Sequence, residues 1–179
     1  MRFLPLLLLL AALATSSDDV KEPEGFWSGP INSDVPETIS GGKVLHVREL
    51  TQLLEQTKPV VIDVSNEPKR PPDMAPDAVW LPLPQQVIPG SAWLPGVGMA
   101  DIAPETDALF RKYLSQSTGN DLDHAVVIYC HERCWLSWNA AKRAISYGYR
   151  RVYWFPEGIE GWRASGKSTV VAKPWTATN

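Results

Sequence analysis

The chain has 179 residues, and its 17 Lys and Arg against 20 Asp and Glu give a formal net charge of −3. This length suits one domain with a substantial buried core. The chain is slightly acidic, whereas nucleic-acid binding requires basic patches, so nucleic acid is not an expected partner.

The first fourteen residues have the pattern of a signal peptide. Arg2 supplies a positive end, an apolar core follows over residues 4–13, and Ala12-Leu13-Ala14 is a small-residue cleavage pattern. The apolar run is shorter than the about 20 residues of a membrane-spanning helix, and no other stretch approaches that length. We therefore expect an exported, periplasmic protein with no membrane span.

Residues 15–42 are polar and repeatedly interrupted by proline and glycine, which predicts an irregular N-terminal arm. Phe26 and Trp27 are candidates to anchor this arm on the domain; the alternative is a flexible tail. The domain itself is expected over residues 43–172. No motif assigns a role to the C-terminal tail, residues 173–179.

The middle of the chain alternates between helix and strand patterns. We predict a short helix over residues 49–56 and a buried parallel strand over residues 60–64. Six prolines within residues 68–84 predict an extended surface loop. An amphipathic helix is predicted from Pro104 to near Gly119. This alternation is typical of an α/β architecture with a mostly parallel sheet.

The sequence CHERCW, residues 130–135, lies between a second buried strand and a helix. The strand is predicted over residues 125–129 from its apolar, β-branched composition, and helical periodicity begins at Leu136. Cys130 therefore follows a strand and precedes a helix N-terminus, whose N–H groups and dipole favour a thiolate. We predict that Cys130 is the acidic, nucleophilic thiol.

Several stretches resemble the rhodanese-like (sulfurtransferase) family, in the order that this family has. They are the strand that ends in Asp63-Val64, the sequence IPGSA at residues 88–92, the strand and cysteine loop at residues 125–135, and a closing strand at residues 152–155 followed by Glu157-Gly158 and Gly161-Trp162. The resemblance implies a single α/β domain whose mostly parallel central sheet has helices on both faces. It also implies that Cys130 accepts a sulfane sulfur and becomes a persulfide.

A narrower resemblance involves the second cysteine. Cys134-Trp135, SWNAA at residues 137–141 and YGYR at residues 147–150 are similar to rhodanese-like proteins named for a Cys-x-x-Cys-Trp motif, although here three residues separate the cysteines. Those proteins are associated with alcohol catabolism that depends on pyrroloquinoline quinone (PQQ). The likeness implies an accessory role beside a periplasmic quinone-dependent dehydrogenase system. A PQQ-related redox cofactor is then a candidate ligand, although none is required.

Cys134 lies within reach of Cys130 in the same loop. A second thiol can resolve a persulfide or sulfenate on the first by forming a disulfide. We therefore expect a thiol-based sulfur-transfer or redox protein. Its partner would be a thiol or sulfane-sulfur donor, either a small molecule or a protein.

Four other residues are candidates to assist the thiol chemistry. His131 and Arg133 could place positive charge near a thiolate, whereas Glu132 would oppose them. Asp63 ends the strand over residues 60–64 and is expected at the same sheet edge as Cys130. Asp63 is therefore a candidate to contact the residues of the cysteine loop without reacting itself.

Three alternatives to this interpretation stay open. A passive Cys130–Cys134 disulfide would close a very small loop, worth roughly 2 kcal/mol against about 4.7 for a 100-residue loop. The cysteines with His131 could hold a soft metal such as Cu(I), but these are fewer ligands than a closed zinc site needs, and we predict no metal site. The competing functional class is a non-catalytic module that binds a redox cofactor or a partner protein.

The tryptophans around the loop suggest a further possibility. Trp135 and Trp138, with Trp80 and Trp162, could form a flat platform for a quinone. We also expect Trp135 to lie outside the core, where it would shield the reactive sulfur.

Overall fold

The computed structural model describes residues 20–177, so the predicted signal peptide lies outside the described residues. Within this range, no helix combines the length and the apolar character needed to cross a membrane. The elements in chain order are β1 (Lys43–Val44), α1 (Val47–Gln56), β2 (Val60–Asp63), β3 (Gln86–Val87), β4 (Ala92–Trp93), α2 (Pro104–Thr118), β5 (Val126–Tyr129), α3 (Trp135–Ser146), β6 (Val152–Phe155), α4 (Gly158–Ala164) and β7 (Val170–Val171).

A five-stranded parallel sheet forms the centre of the molecule. Its strand order is β1-β6-β5-β2-β4, and every neighbouring pair is parallel. All residues of the inner strands β2 and β5 are buried, as expected for a parallel sheet covered on both faces. Strands β3 and β7 form a separate antiparallel pair. The predicted α/β domain with a mostly parallel sheet is confirmed.

Helices cover both faces of this sheet. Side chains alternate along a strand, so Val126 and Ile128 of β5 pack with α2 and α3, whereas Val127 and Tyr129 pack with α1 and α4. Cys130 continues the alternation and lies on the α3 face. This alternation places the thiol between the sheet edge and the helix that follows it.

The predicted element boundaries differ from the observed ones by one or two residues. Helix α1 begins at Val47, two residues before the predicted start, and α3 begins at Trp135, one residue before. Residues 64–85 form no helix or strand, which confirms the proline-rich loop. The early start of α3 matters most, because it places Trp135 in the helix and not in the loop.

The arm is irregular but docked on the domain over its described residues. The rings of Trp27 and Trp135 are stacked with centroids 4.3 Å apart. The Asn139 side chain accepts a hydrogen bond from the Trp27 N–H at 2.8 Å and donates one to its carbonyl at 2.9 Å. Trp27 is therefore an anchor, and the alternative of a flexible tail is wrong for this part of the arm.

The end of the described chain is also packed. Trp175 meets the ring of Tyr113 edge-on at 5.1 Å. Its N–H donates to the carbonyl of Trp93 at 2.8 Å. The tail therefore covers part of α2.

Candidate functional site

Two thiols meet at the carboxyl end of β5. Cys130 directly follows this strand, and Cys134 directly precedes α3. Both are free cysteines, and their Sγ atoms lie 2.7 Å apart. The three residues between them turn sharply, and Arg133 adopts the left-handed conformation with φ of 53°. Only a small movement separates this arrangement from a disulfide.

The arm covers this pair of thiols. Cys130 is fully buried and Cys134 is 3% exposed. Asn32 forms a β-bridge with Cys134. On either side of it, the Ser33 N–H donates to the Arg133 carbonyl at 3.1 Å, and the Trp135 N–H donates to the Ile31 carbonyl at 2.9 Å. We call these contacts between residues 31–33 and 133–135 the arm–loop ladder.

Cys134 carries the more acidic thiol. A hydrogen bond from Cys130 is the largest influence that lowers the pKa of Cys134 to about 7, and the backbone N–H groups of Leu136 and His131 lower it further, against the effect of burial. The first N–H groups of a helix have no partner within the helix, so they are available to a sulfur at its start. Cys134 occupies that position in α3.

The prediction that Cys130 is the acidic thiol stays a prediction, and the burial of this thiol acts against it. Burial, followed by the adjacent Cys134, raises the pKa of Cys130 well above its ordinary value. Cys130 lies before the helix in sequence, but the loop presents the other sulfur to the helix start. Of the two sulfurs, Cys134 is the one at the start of α3, where the helix N–H groups favour a thiolate.

Asp63 forms two hydrogen bonds with Ser65, a residue that the sequence analysis missed. The buried Asp63 carboxylate accepts hydrogen bonds from the Ser65 N–H and hydroxyl at 2.8 and 2.5 Å, and from the Gln85 amide at 3.0 Å. Burial raises the pKa of Asp63, although these hydrogen bonds oppose the shift. The Ser65 side chain lowers the pKa of Cys130, against the effect of burial. An Asp followed two residues later by Ser at a strand end is the signal that could have identified the Asp63–Ser65 contact.

The loop side chains interact mainly with other parts of the protein. The His131 Nδ1 lies 2.8 Å from a carboxylate oxygen of Glu160 in α4, and the other oxygen accepts the Glu132 N–H at 2.9 Å. Arg133 forms an ion pair with Asp34 of the arm. Glu160 and Asp34 were not predicted as site residues. Together they hold the loop from both sides.

Gly158 allows the start of α4 to approach the cysteine loop. A Cβ at this position would lie 2.5 Å from the Cys130 carbonyl oxygen, and the residue has φ of 56°. The next residue, Ile159, donates its N–H to the same carbonyl at 3.0 Å. Only glycine combines this conformation with so close an approach.

The tryptophans do not form an open platform. Trp135 and Trp138 are fully buried in the core, and Trp27 covers a face of Trp135. Trp162 belongs to the apolar cluster on the other face of the sheet. The prediction that Trp135 lies outside the core is therefore wrong, and these residues do not fit a planar quinone.

A cleft of about 580 Å³ opens beside the loop at His131. Its walls combine amide, apolar and cationic side chains, among them Asn66, Leu83, Gln85, Ile159 and Arg163. In the described part of the chain, no three His, Cys, Asp or Glu side chains are arranged to hold a metal ion. The cleft gives the loop one solvent-facing side.

Comparison with known proteins places the fold in a family. No curated protein matches the chain significantly. Among solved structures, a thiosulfate sulfurtransferase from Pseudomonas aeruginosa has 17% identity and a TM-score of 0.47, over 74% of this chain but only 21% of that protein. A polysulfide-sulfur transferase from Wolinella succinogenes has 18% identity and a TM-score of 0.44, over 73% of this chain and 80% of its own.

A third structure, from Anabaena, has 15% identity and a TM-score of 0.45, over 72% of this chain and 80% of its own. The family model described as "Rhodanese-like domain" matches residues 46–165. This match covers more than half of the chain. The chain therefore belongs to the rhodanese-like domain family.

Proposed function

We propose that this protein transfers sulfur through a pair of thiols, with Cys134 as the attacking thiol and Cys130 as the resolving one. The observation that carries the proposal is the pair of free Sγ atoms 2.7 Å apart at the sheet edge. A pKa of about 7 makes a large fraction of Cys134 thiolate at neutral pH. These roles reverse those expected from the sequence.

The first step is the attack of the Cys134 thiolate on the outer sulfur of a persulfide donor, RS–SH. The donor's S–S bond breaks, RS⁻ leaves with the electron pair, and Cys134 becomes a persulfide. Cys130 then attacks Sγ of Cys134, its thiol proton is lost, and HS⁻ leaves. The dithiol is thereby oxidised to a disulfide while the sulfane sulfur is reduced to hydrosulfide. An acceptor thiol that reacts before Cys130 would instead receive the outer sulfur.

The competing proposal is a non-catalytic binding module, and the burial of both thiols favours it. Incubation with glutathione persulfide, followed by mass spectrometry and a sulfide assay, separates the two. We expect wild-type protein to release sulfide and become a disulfide, and Cys130→Ser to retain one extra sulfur on Cys134. Cys134→Ser should do neither. If no variant gains sulfur and wild-type protein releases no sulfide, the binding module is correct.

We also propose that the protein is exported and works in the periplasm as an accessory to PQQ-dependent alcohol catabolism. The signal-peptide pattern of residues 1–14 and the Cys134-Trp135 motif support this. Cell fractionation with N-terminal sequencing tests export. Growth of a deletion strain on alcohol, complemented with wild-type protein or Cys134→Ser, tests the accessory role. Full growth with the Cys134→Ser protein would contradict a thiol-dependent role there.

A further inference from the structure

The cleft beside the cysteine loop lies at the carboxyl edge of the sheet, where open α/β sheets bind their ligands. Asn66 comes shortly after β2, His131 comes shortly after β5, and Arg163 belongs to α4. In the described part of the chain, none of the residues that line the cleft comes from the arm. The arm–loop ladder covers the loop at residues 133–135, whereas the cleft meets it at His131, directly after Cys130. A ligand can therefore occupy the cleft while the arm stays docked.

The cleft contains a cationic side chain that has no partner within the protein. Arg163 lies in the last turn of α4 and is exposed. Across residues 20–177, its guanidinium group forms no ion pair and no hydrogen bond. No Asp or Glu is among the described side chains that line the cleft. Arg163 is therefore available to an anionic group of a ligand.

The cysteine loop keeps the obvious internal partner away from this arginine. Glu160 is the nearest carboxylate in sequence, and residues three apart are neighbours on a helix surface. Its two oxygens are instead occupied by His131 Nδ1 at 2.8 Å and by the Glu132 N–H at 2.9 Å. The loop thus holds Glu160 and leaves the guanidinium group of Arg163 to the cleft.

The other walls of the cleft suit an organic ligand better than a small inorganic ion. They combine apolar surface with side-chain amides, and include Leu83, Pro84 and Ile159 together with Asn66, Gln85 and Gln86. Side-chain amides can hydrogen bond with both the carbonyl and the N–H groups of a peptide. The volume of about 580 Å³ lies within the range of about 300–1,000 Å³ that is typical of sites for small organic molecules. A carboxylate on a peptide-like skeleton would use the cationic, amide and apolar side chains together.

We propose that the cleft binds a carboxylate-bearing organic molecule of the size of a short peptide, with Arg163 paired to the carboxylate. The planar guanidinium group can donate two parallel hydrogen bonds to the two carboxylate oxygens. The inference deepens the proposed function and rests on it for the identity of the donor: in RS–SH, the group R is peptide-like and carries the carboxylate. Arg163 then determines specificity, because it contacts R and not the sulfur that is transferred.

S-methylglutathione tests this binding without any thiol chemistry, because its sulfur is blocked. Isothermal titration calorimetry with the full described chain gives the Kd. We expect Arg163→Gln to weaken binding about 10-fold, the loss expected for a hydrogen-bonded pair of charged groups that is partly exposed. Lys167→Gln is the matched control and should bind like wild-type protein. It removes the same charge from a neighbouring side chain that lies over the Trp162 ring and does not line the cleft.

Two further ligands identify the group that Arg163 binds. The diethyl ester of S-methylglutathione keeps the skeleton but removes both carboxylate charges. We expect it to bind wild-type protein about 10-fold more weakly than the acid, and Arg163→Gln to cause no further loss. Sodium sulfate provides an inorganic anion without the skeleton, and it should bind more weakly than S-methylglutathione.

Three results would overturn the inference. S-methylglutathione that binds wild-type protein and Arg163→Gln equally, or an ester that binds as tightly as the acid, would contradict the pairing with Arg163. Sulfate that binds as tightly as S-methylglutathione would contradict the organic class of ligand.

Incubation with glutathione persulfide reports separately on the proposed function. Binding of S-methylglutathione without any sulfur transfer would contradict the proposed function and leave the binding site in the cleft intact. Sulfur transfer without binding of S-methylglutathione would contradict the cleft site alone. The two failures are therefore distinguishable.

Discussion

The two sulfurs of the cysteine loop lie in contact but differ in acidity, because only Cys134 lies at the start of α3. A thiolate there receives hydrogen bonds from Cys130 and from the backbone N–H groups of Leu136 and His131. Cys130 lies deeper, against the end of the sheet. We therefore assign the attack on the sulfur donor to Cys134, which ionises more easily, and the later disulfide formation to Cys130.

This division predicts how the reactivity of Cys134 depends on pH. In wild-type protein, the alkylation rate should rise as the pH passes through about 7, where Cys134 ionises. Cys130→Ala removes the largest stabilising hydrogen bond, so the midpoint should move to higher pH. Cys130→Ser retains a donor and is the matched control. Equal midpoints in the alanine and serine variants would contradict the assigned cause.

Gly158 is the second residue whose effect can be measured separately. Gly158→Ala should reduce the free energy of unfolding by more than the about 1–2 kcal/mol that a left-handed alanine costs, because the new Cβ also meets the Cys130 carbonyl. Gly166→Ala has the same backbone strain, with φ of 79°, but an open surrounding. Urea denaturation of both variants isolates the clash. If both variants lost the same free energy of unfolding, the cysteine loop would accommodate the new Cβ at residue 158 without any destabilisation.

Residue identities in the loop were predictable, but their roles were not. The place of Cys130 followed from a strand pattern and a helix pattern on either side of it. Its pKa depends on which sulfur meets the helix N–H groups, and this is fixed by the left-handed Arg133 and the turn around it. Ser65 was missed because a serine after a strand is common, and only its hydrogen bonds to the buried Asp63 distinguish it.

At the scale of elements, α3 connects the site to the core. Its first residue, Trp135, is fully buried between Trp27 and Trp138. The indole N–H lies 2.9 Å from Ser33 Oγ and 3.0 Å from the Asp34 carbonyl, both in the arm. Trp135 is therefore one of the α3 side chains that hold the arm.

Trp135→Ala should consequently reduce the free energy of unfolding by about 3–5 kcal/mol, the cost of emptying a core tryptophan site. Trp80→Ala, in the proline-rich loop, should have a smaller effect because Trp80 is only partly buried. Urea denaturation followed by circular dichroism provides the comparison and avoids the lost fluorescence. A loss below about 1 kcal/mol for Trp135→Ala would contradict its place in the core.

The strands and helices were predictable to within about two residues because their apolar periodicity is local. Trp135 was misplaced for the opposite reason. Its partner Trp27 lies far away in sequence, and no period within α3 reveals that a distant aromatic ring completes its environment. The same limit applies to the short strands β3 and β7, each of two residues.

At the scale of the whole molecule, the arm determines how a reagent reaches the thiols. The arm–loop ladder places backbone from residues 31–33 directly against Cys134. Opening of the arm would expose the sulfur without unfolding the sheet. Local opening that leaves the sheet intact requires less free energy than global unfolding.

Trp27→Ala should therefore accelerate alkylation of Cys134 while leaving the global transition nearly unchanged. Loss of the stacked ring should weaken docking by about 1–2 kcal/mol, and a free energy of that size increases the open fraction roughly 5–30-fold. Glu24→Ala, at an exposed position of the same arm, is the matched control. An equal alkylation rate in both variants would show that reagents reach the thiols by another path, such as the cleft beside His131.

Because of the arm, the structural domain begins before the segment that the family model matches. The family match begins at residue 46, yet the acceptors for two buried indole N–H groups lie before it: Ser33 and Asp34 for Trp135, and Thr38 for Trp138. A fragment trimmed to residues 46–165 would leave both donors without these acceptors and would expose an aromatic face to neighbouring molecules. We expect such a fragment to self-associate in size-exclusion chromatography, whereas a fragment that begins at residue 20 stays monodisperse. We therefore expect the stable unit of this protein to be larger than the segment that the family model matches.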